Sequence, residues 1–504
     1  MSKVGLALII MLVFLGYGVF GFDKISKTLT LLPKMEKAEA AGWYNTDWSY
    51  RKEIIIDYNK VPNTDQSYFP VLVNRTDADW KDTAHSGHVG QADGGDFVFT
   101  SSGGTVKLDH EIEKYDPVTG ELVAWIEVPS VSHTANTELY LYYGNAAATN
   151  QQNATNVWSN GYLGVWHMHN ASNPATDSLG INNGAQSGGV TFGATGKVGK
   201  ATSYDGVDDA ITLAGPVLTT SATIEGWFFW DTSDADVASL FRDNTGTGGW
   251  LLGYKNGAKF TYRLGNTSFD TTVNPTPYLD KWTHFVMTKS GGDVNFALDG
   301  QILHTGSGAA NTASIMPWHI MQNGSLVTTC VKGLADEIRI SSVARAADWI
   351  ITEYNNQSSP STFYSVVGEE NKPVSILLTT DGSVSFGTRA LEAVVDTSPA
   401  GINHPETVQV DAGPADLDVK SSNFIQGGNS WSLNSSNGHD QVKWEFSKDG
   451  TNWSIFLLAD TLYTFDTNVP QMDTRNIYLK LTMPTLSSSI SQYSSTVTIV
   501  ASAP

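Results

Sequence analysis

The stretch YDGVDDAITL, residues 204–213, crowds Asp205, Asp208 and Asp209 just ahead of an apolar run. Three carboxylates so close can hold a hard cation, share a proton, or solvate a turn. Asp205-Gly206 is a tight-turn pair in which glycine supplies a positive φ. Ala210 to Leu213 then begin a strand, so the acids are expected to cap a turn. Glu111 and Glu113 in DHEIEKY alternate and share one strand face. Glycosidases work with paired acids of this kind, but the E-x-D-x-E run that would signal such a site is absent, and a solvated face is expected here. WHMH places His167 and His169 on one strand face without a clear third ligand. A core tryptophan flanked by histidines is the expected reading. Cys330 is the only cysteine, which rules out an intramolecular disulfide and cysteine-rich metal sites. An inert buried thiol is expected there. There is no H-E-x-x-H helix, G-x-S-x-G elbow or P-loop. Trp227, Trp230, Trp250, Trp282 and Trp318 can offer stacking faces. The alternation in TIEGWFFW puts Trp227 and Trp230 on opposite faces, so at least one belongs to a core.

These residues need a frame to hold them. The chain has 504 residues, too many for one core. Charged residues make up 16%, below the usual quarter, and the net charge is −21. Such a surface repels phosphate backbones, so nucleic acid is excluded as a partner. From 42 to 150, runs such as RKEIIIDY, FPVLV, DFVFT, ELVAWIEV and ELYLYY alternate with ADGGD, SSGG and DPVTG turns. Residues 158–368 form a second all-β block of sandwich size. Near its end, SSVARAADWIITEYNNQ has helical spacing, with Ser341 or Ser342 as cap and Pro360 beyond its end. Residues 374–504 form a third all-β block, in which NIYLKL and TVTIV alternate as strands with one wet face. The fold class is therefore multi-domain all-β.

Residues 1–41 stand apart. Lys3 precedes an apolar run over 5–22, and Ala38-Glu39-Ala40 has the small-x-small form of a cleavage site. A hydrophobic N-terminal helix is expected, serving as a signal peptide cleaved near Ala40 or Ala41, or as a signal anchor. The protein would touch a membrane only through residues 5–22. N-x-S/T sequons occur at Asn266 and Asn323.

Residues 43–146 carry WYNTDWSYRKEIII, DGGDFVFT, LDHEIEKYD, AWIEVP and LYLYYGN, and resemble the prokaryotic domain of unknown function 2341. GVWHMHN, GKVGKATSYDGVDDAITL, ATIEGWFFW, WTHFVMTKSGG, NFALDGQ and GLADEIRISSVARAADWIITEYNNQ run in order through 160–357. Together they resemble a laminin-G-like jelly roll of the concanavalin A-like class. SKDGTNW (447–453) is similar to a sialidase aspartate box. It occurs once and with the wrong spacing, so a hairpin turn at Asp449-Gly450 is expected. The third block resembles a generic bacterial surface sandwich, immunoglobulin-like in style.

The jelly-roll resemblance implies that the first and last strands lie side by side. Asp177 and Asp336 would then share a structural Ca2+, helped by carbonyls of Asn182 or Gly184. It also implies a non-catalytic, extracellular binding or adhesion protein whose partner is a glycan or surface protein. The alternatives are a structural surface-layer or stalk component, and an accessory part of a polysaccharide-active system.

Overall fold

A computed structural model describes residues 6–15, 43–231, 239–243, 250–256, 259–265, 267–307, 313–314, 317–322, 330–489 and 491–503. The cleavage motif at Ala38–Ala41 and the sequon residues Asn266 and Asn323 lie outside the described residues. The chain is all-β and divides into two compact units, residues 47–370 and residues 1–46 with 371–504.

In the larger unit the first block is built from two sheets. One runs in the order Tyr364–Val366, Tyr50–Ile56, Thr137–Tyr143, Val98–Ser101, Lys107–Leu108, and the other in the order Gln66–Thr76, Glu121–Val131, His110–Asp116. Tyr50–Ile56 alternates buried and half-buried residues, as a strand with one wet face should. Glu121–Val131 is buried on both faces from Leu122 to Ile126. The jelly roll packs a seven-stranded sheet on an eight-stranded one. Its core includes Trp166, Phe228, Trp250, Phe285, Trp318 and Ile340.

The turn chemistry read from the sequence reappears. Lys200–Asp205 ends at Asp205, Gly206 has φ +83°, and Ala210–Leu213 follows. The Asp209 carboxylate accepts the backbone N–H groups of Asp205 (2.7 Å) and Gly189. Ser447 and Asp449 likewise close the hairpin turn at 447–453, where the Asp449 carboxylate accepts N–H groups from Thr451 and Asn452. Cys330 is buried.

Two expectations need correction. The apolar run is not a helix: Leu6–Leu15 pairs antiparallel with the strand Gln492–Ser502, Leu6 opposite Ala501 and Leu15 opposite Gln492. Length and hydropathy do not separate helix from strand, and a run rich in Ile, Val and Phe suits a sheet edge. Among the described residues, no helix is long and apolar enough to cross a membrane. The predicted C-terminal helix exists but spans Ala347–Ser358, and Ala346 at its start gives no side-chain cap. The hydroxyl of Ser341 instead donates to the Val343 carbonyl and that of Ser342 to the Gly161 carbonyl.

This helix and the segment after it belong to the first block as much as to the jelly roll. Trp349, Phe363 and Tyr364 complete the first block's core, and Tyr364–Val366 is an edge strand beside Tyr50–Ile56. Asn356 bridges the backbone of Leu72, accepting its N–H at 2.7 Å and donating to its carbonyl at 3.0 Å. Trp349 meets Phe69 edge-on at 4.8 Å. Trp349→Ala is therefore expected to destabilise the first block by about 3–5 kcal/mol. Urea unfolding followed at first-block aromatics measures the loss, and a cost below about 1 kcal/mol would mean the helix only rests on that surface.

Candidate functional site

The densest chemistry lies between the first block and the jelly roll, within the larger unit. Two irregular strands place it there. In His110–Asp116, the register against Glu121–Val131 slips between Ile112 and Lys114, making Glu113 the extra residue of a bulge. In Lys332–Ser341, the register against Ser221–Trp230 slips where Glu337 adopts φ +52°. Ala335, Ile338 and Ile340 join the jelly-roll core, while Glu337 and Arg339 meet His167, Glu353 and the first block's tryptophans.

His167 is the hub on one side. Its Nδ1 lies 2.9 Å from Glu337 Oε1 and its Nε2 lies 3.3 Å from Glu111 Oε2. Its ring stacks on Trp125 at 5.6 Å. Trp158 Nε1 donates to Glu111 (2.7 Å), as does the Ser178 hydroxyl (2.7 Å). Trp125 Nε1 donates to Glu113 Oε2 at 3.1 Å, while Glu113 Oε1 is buried without a hydrogen-bond partner. Gly199, at φ +53°, leaves room for that oxygen, since a Cβ there would stand 2.5 Å from it.

Arg339 is the hub on the other side. Its Nη2 donates to Glu337 at 2.6 Å and its Nη1 to Glu353. The guanidinium lies over the rings of Trp125 (4.2 Å) and Trp158 (4.8 Å).

These contacts set the charges. Burial alone would lower the His167 pKa, but Glu337 and Glu111 outweigh it and hold the ring as an imidazolium. Burial alone would raise Glu111, and His167 with its hydrogen bonds brings it down to about 2. Burial and the charge of Glu337 push Glu113 up to about 8. A neutral acid beside an ionised one is the pairing that acid–base catalysis uses. Here the side chains of Glu113, His167, Glu337 and Arg339 are at most 1% exposed, so no substrate reaches them. The arrangement is a buried ion-pair network. It corrects the expectation that Glu111 and Glu113 line a solvated face. They do converge, but on a buried histidine that the sequence reading set aside as a core neighbour.

The residues expected to bind calcium are placed differently. Asp177 Oδ1 accepts N–H groups from Val165 (3.0 Å) and Leu179 (3.1 Å), and Oδ2 from Ile181 (3.3 Å) and Asn182 (3.0 Å). The Asn182 carbonyl accepts Trp166 Nε1, and the Gly184 carbonyl accepts the Ala175 N–H. Asp336 Oδ2 accepts N–H groups of Lys197 (2.7 Å) and Val198 (2.9 Å), and burial with the charges of Glu337 and Glu113 holds its pKa well above the usual range. Asp177 and Asp336 thus bond to different loops; both Asp177 oxygens are taken by N–H donors, whereas Asp336 Oδ1 is buried without a hydrogen-bond partner. Asp177, Asn182, Gly184 and Asp336 are thus held in separate hydrogen-bonding environments.

Of the five tryptophans considered for stacking, Trp227, Trp230, Trp250 and Trp318 are buried. Trp282 keeps part of its ring at the surface. It pairs with the half-buried Phe229, ring centroids 6.2 Å apart. Charged groups flank them: Lys281 reaches Asp299 at 3.4 Å and Lys332 reaches Asp231 at 2.8 Å.

Comparison with known proteins agrees with this architecture. Residues 93–173 match the family described as domain of unknown function (DUF2341). Residues 205–351 match the concanavalin A-like lectin/glucanases superfamily. The chain thus carries a DUF2341 segment followed by a concanavalin A-like domain. No curated protein matches. Among solved structures, one similar chain is domain 4 of a GH43 extracellular arabinanase from Geobacillus stearothermophilus, in complex with arabinotriose. It is 18% identical with TM-score 0.32, over 39% of this chain and 98% of that one. Another is the botulinum neurotoxin serotype D ligand binding domain in complex with N-acetylneuraminic acid, 12% identical with TM-score 0.34, over 41% of this chain and 53% of that one. The binding domain of Paraclostridial Mosquitocidal Protein 1 is also 12% identical, with TM-score 0.34, over 40% and 52%. The chain spans about half the length of these two toxin domains. At such scores the likenesses carry no functional argument.

Two outcomes follow from the network and the Asp177 loop. Folded Glu113 keeps its proton to about pH 8, whereas the unfolded chain loses it near 4.5. Its stabilising contribution is complete below that lower value and declines as pH rises through the window, by up to about 1.4 kcal/mol per pH unit. Glu111 has the opposite sign, its contribution being lost as pH falls from 4.5 toward about 2. Glu113→Gln should flatten the decline in urea-unfolding free energy above about pH 5 and leave the acid limb in place. An unchanged alkaline slope would contradict the assignment. For Asp177, replacement by Ala orphans buried N–H groups and should cost more than about 2 kcal/mol. Millimolar calcium should leave the melting temperature of the parent protein unmoved. A calcium-dependent rise that vanishes in Asp177→Ala would restore the ion.

Proposed function

We propose that this protein is an exported, non-catalytic binding protein of a prokaryotic cell surface, and that its jelly roll recognises a glycan through Trp282. The single supporting observation is the placement of Trp282. It is the one member of the tryptophan set that is not fully buried, it stands beside the half-buried Phe229, and the ion pairs Lys281–Asp299 and Lys332–Asp231 involve residues near these strand ends. A sugar presents an apolar C–H face to an aromatic ring and hydroxyls to the surrounding charges. A binding site of this kind combines an aromatic platform with a few placed polar groups. The low charge content and the acidic balance support export. A structural envelope component could use the same domains but would not depend on Trp282.

The test is a glycan array probed with the purified protein. The expected result is a defined set of bound glycans, with affinity for them falling tenfold or more in Trp282→Ala, about 1.4 kcal/mol, while the melting temperature stays near that of the parent. An array without signal, or binding untouched by the substitution, would contradict the reading.

A further inference from the structure

A second cluster lies beyond Arg339, where helix Ala347–Ser358 covers the outer side of the eight-stranded sheet. Ile350 of the helix packs on Val286 and Ala297. Glu225 belongs to the strand Ser221–Trp230, His284 to its neighbour Trp282–Ser290, and Glu353 to the helix. One ligating atom from each of the three lies within 4.8 Å of the others. All three residues are at most 2% exposed. Glu225 Oε2, Glu353 Oε2 and His284 Nδ1 are buried without hydrogen-bond partners. The remaining Glu353 oxygen, Oε1, accepts from Arg339 and from Gln357 Nε2 at 3.1 Å. Gln357 is itself fixed, its Oε1 accepting Trp227 Nε1 at 2.6 Å.

Orphaned polar atoms are costly in a protein interior, and three in one buried cluster call for a common partner. We propose that Glu225, His284 and Glu353 form a buried site for a divalent transition-metal cation of the zinc class, which pins the helix to the sheet. Two carboxylate oxygens and an imidazole nitrogen suit such an ion, which holds its ligands at about 2.0–2.2 Å and therefore within about 4.4 Å of one another. The imidazole disfavours calcium and magnesium, which take oxygen ligands. Carboxylates ligate in their ionised form, so any proton that Glu225 or Glu353 carries in the metal-free chain is released to solvent when the cation binds.

Other groupings do not share these features. In Glu113–His167–Glu337, both ring nitrogens of His167 already face carboxylates. Asp79–His88–Glu369 is part-exposed, with His88 Nδ1 2.7 Å from Glu369 and Lys52 Nζ 2.8 Å from Asp79. Asp205, Asp208 and Asp209 belong to the turn already described. By contrast, burial lowers the His284 pKa to about 4, leaving a neutral ring ready to ligate.

The full chain is unfolded and refolded either with EDTA or with Zn2+, then passed through gel filtration and analysed for metal by mass spectrometry and for melting temperature. The expected result is one tightly held zinc per chain and a higher melting temperature in the zinc-refolded protein. Both should be lost in His284→Ala and in the near-isosteric Glu225→Gln, and kept in His88→Ala. If His284→Ala fails to fold, Glu225→Gln decides. Equal zinc content and equal melting temperatures in parent and Glu225→Gln would overturn the proposal and leave a shared proton as the partner of the two carboxylates.

Discussion

Arg339 is the constraint on which the larger unit depends. A guanidinium cannot shed its charge, and burying it without partners is prohibitively costly. The partners come from different places. Glu337 lies two residues away on its own strand, Glu353 on the helix that follows, and Trp125 and Trp158 on the first block. The jelly roll supplies the charges and the first block supplies the aromatic faces and, through Glu111 and Glu113, the second ring of carboxylates. Breaking a buried pair of this kind costs about 3–5 kcal/mol, because it strands the remaining charge. The DUF2341 segment and the jelly roll therefore form one body, closed by the helix Ala347–Ser358 and the strand Tyr364–Val366.

That closure seals the residues best equipped for proton transfer beneath two sheets. Trp282 and Phe229, near the ends of their strands, stay partly exposed. The helix has a double role, since Trp349 completes the first core while Glu353 reaches toward Glu225 and His284. Anything that holds Glu353 in place steadies the helix, and through it the junction between the blocks.

The parts of this architecture that were legible in the sequence are those written in local chemistry. Asp-Gly pairs marked the turns at Asp205 and Asp449, alternation marked the strands, and the order of segments marked the jelly roll. The network was not legible, because His167 meets Glu337 across 170 positions and through bulges at Glu113 and Glu337 that alternation does not reveal. A signal was nonetheless present. Glu225 within TIEGWFFW and the Glu337–Arg339 pair within LADEIRIS are charges inside apolar strands, and such charges require buried partners. Asp177 was singled out as a calcium ligand. Its donors proved to be backbone N–H groups, which no spacing of acids could announce. The apolar run at 5–22 shows a further limit, since hydropathy registers burial without choosing between helix and strand.

The central claim is that residues 47–370 fold as one body around Arg339. Native-state hydrogen exchange of the full chain across a denaturant series tests it most directly. Peptides from Glu121–Val131 of the first block and from Lys332–Ser341 of the jelly roll should lose protection together, with the same free energy and the same denaturant dependence. Separate openings, with the jelly-roll strand protected after the first block has exchanged, would show two independent domains and contradict the account.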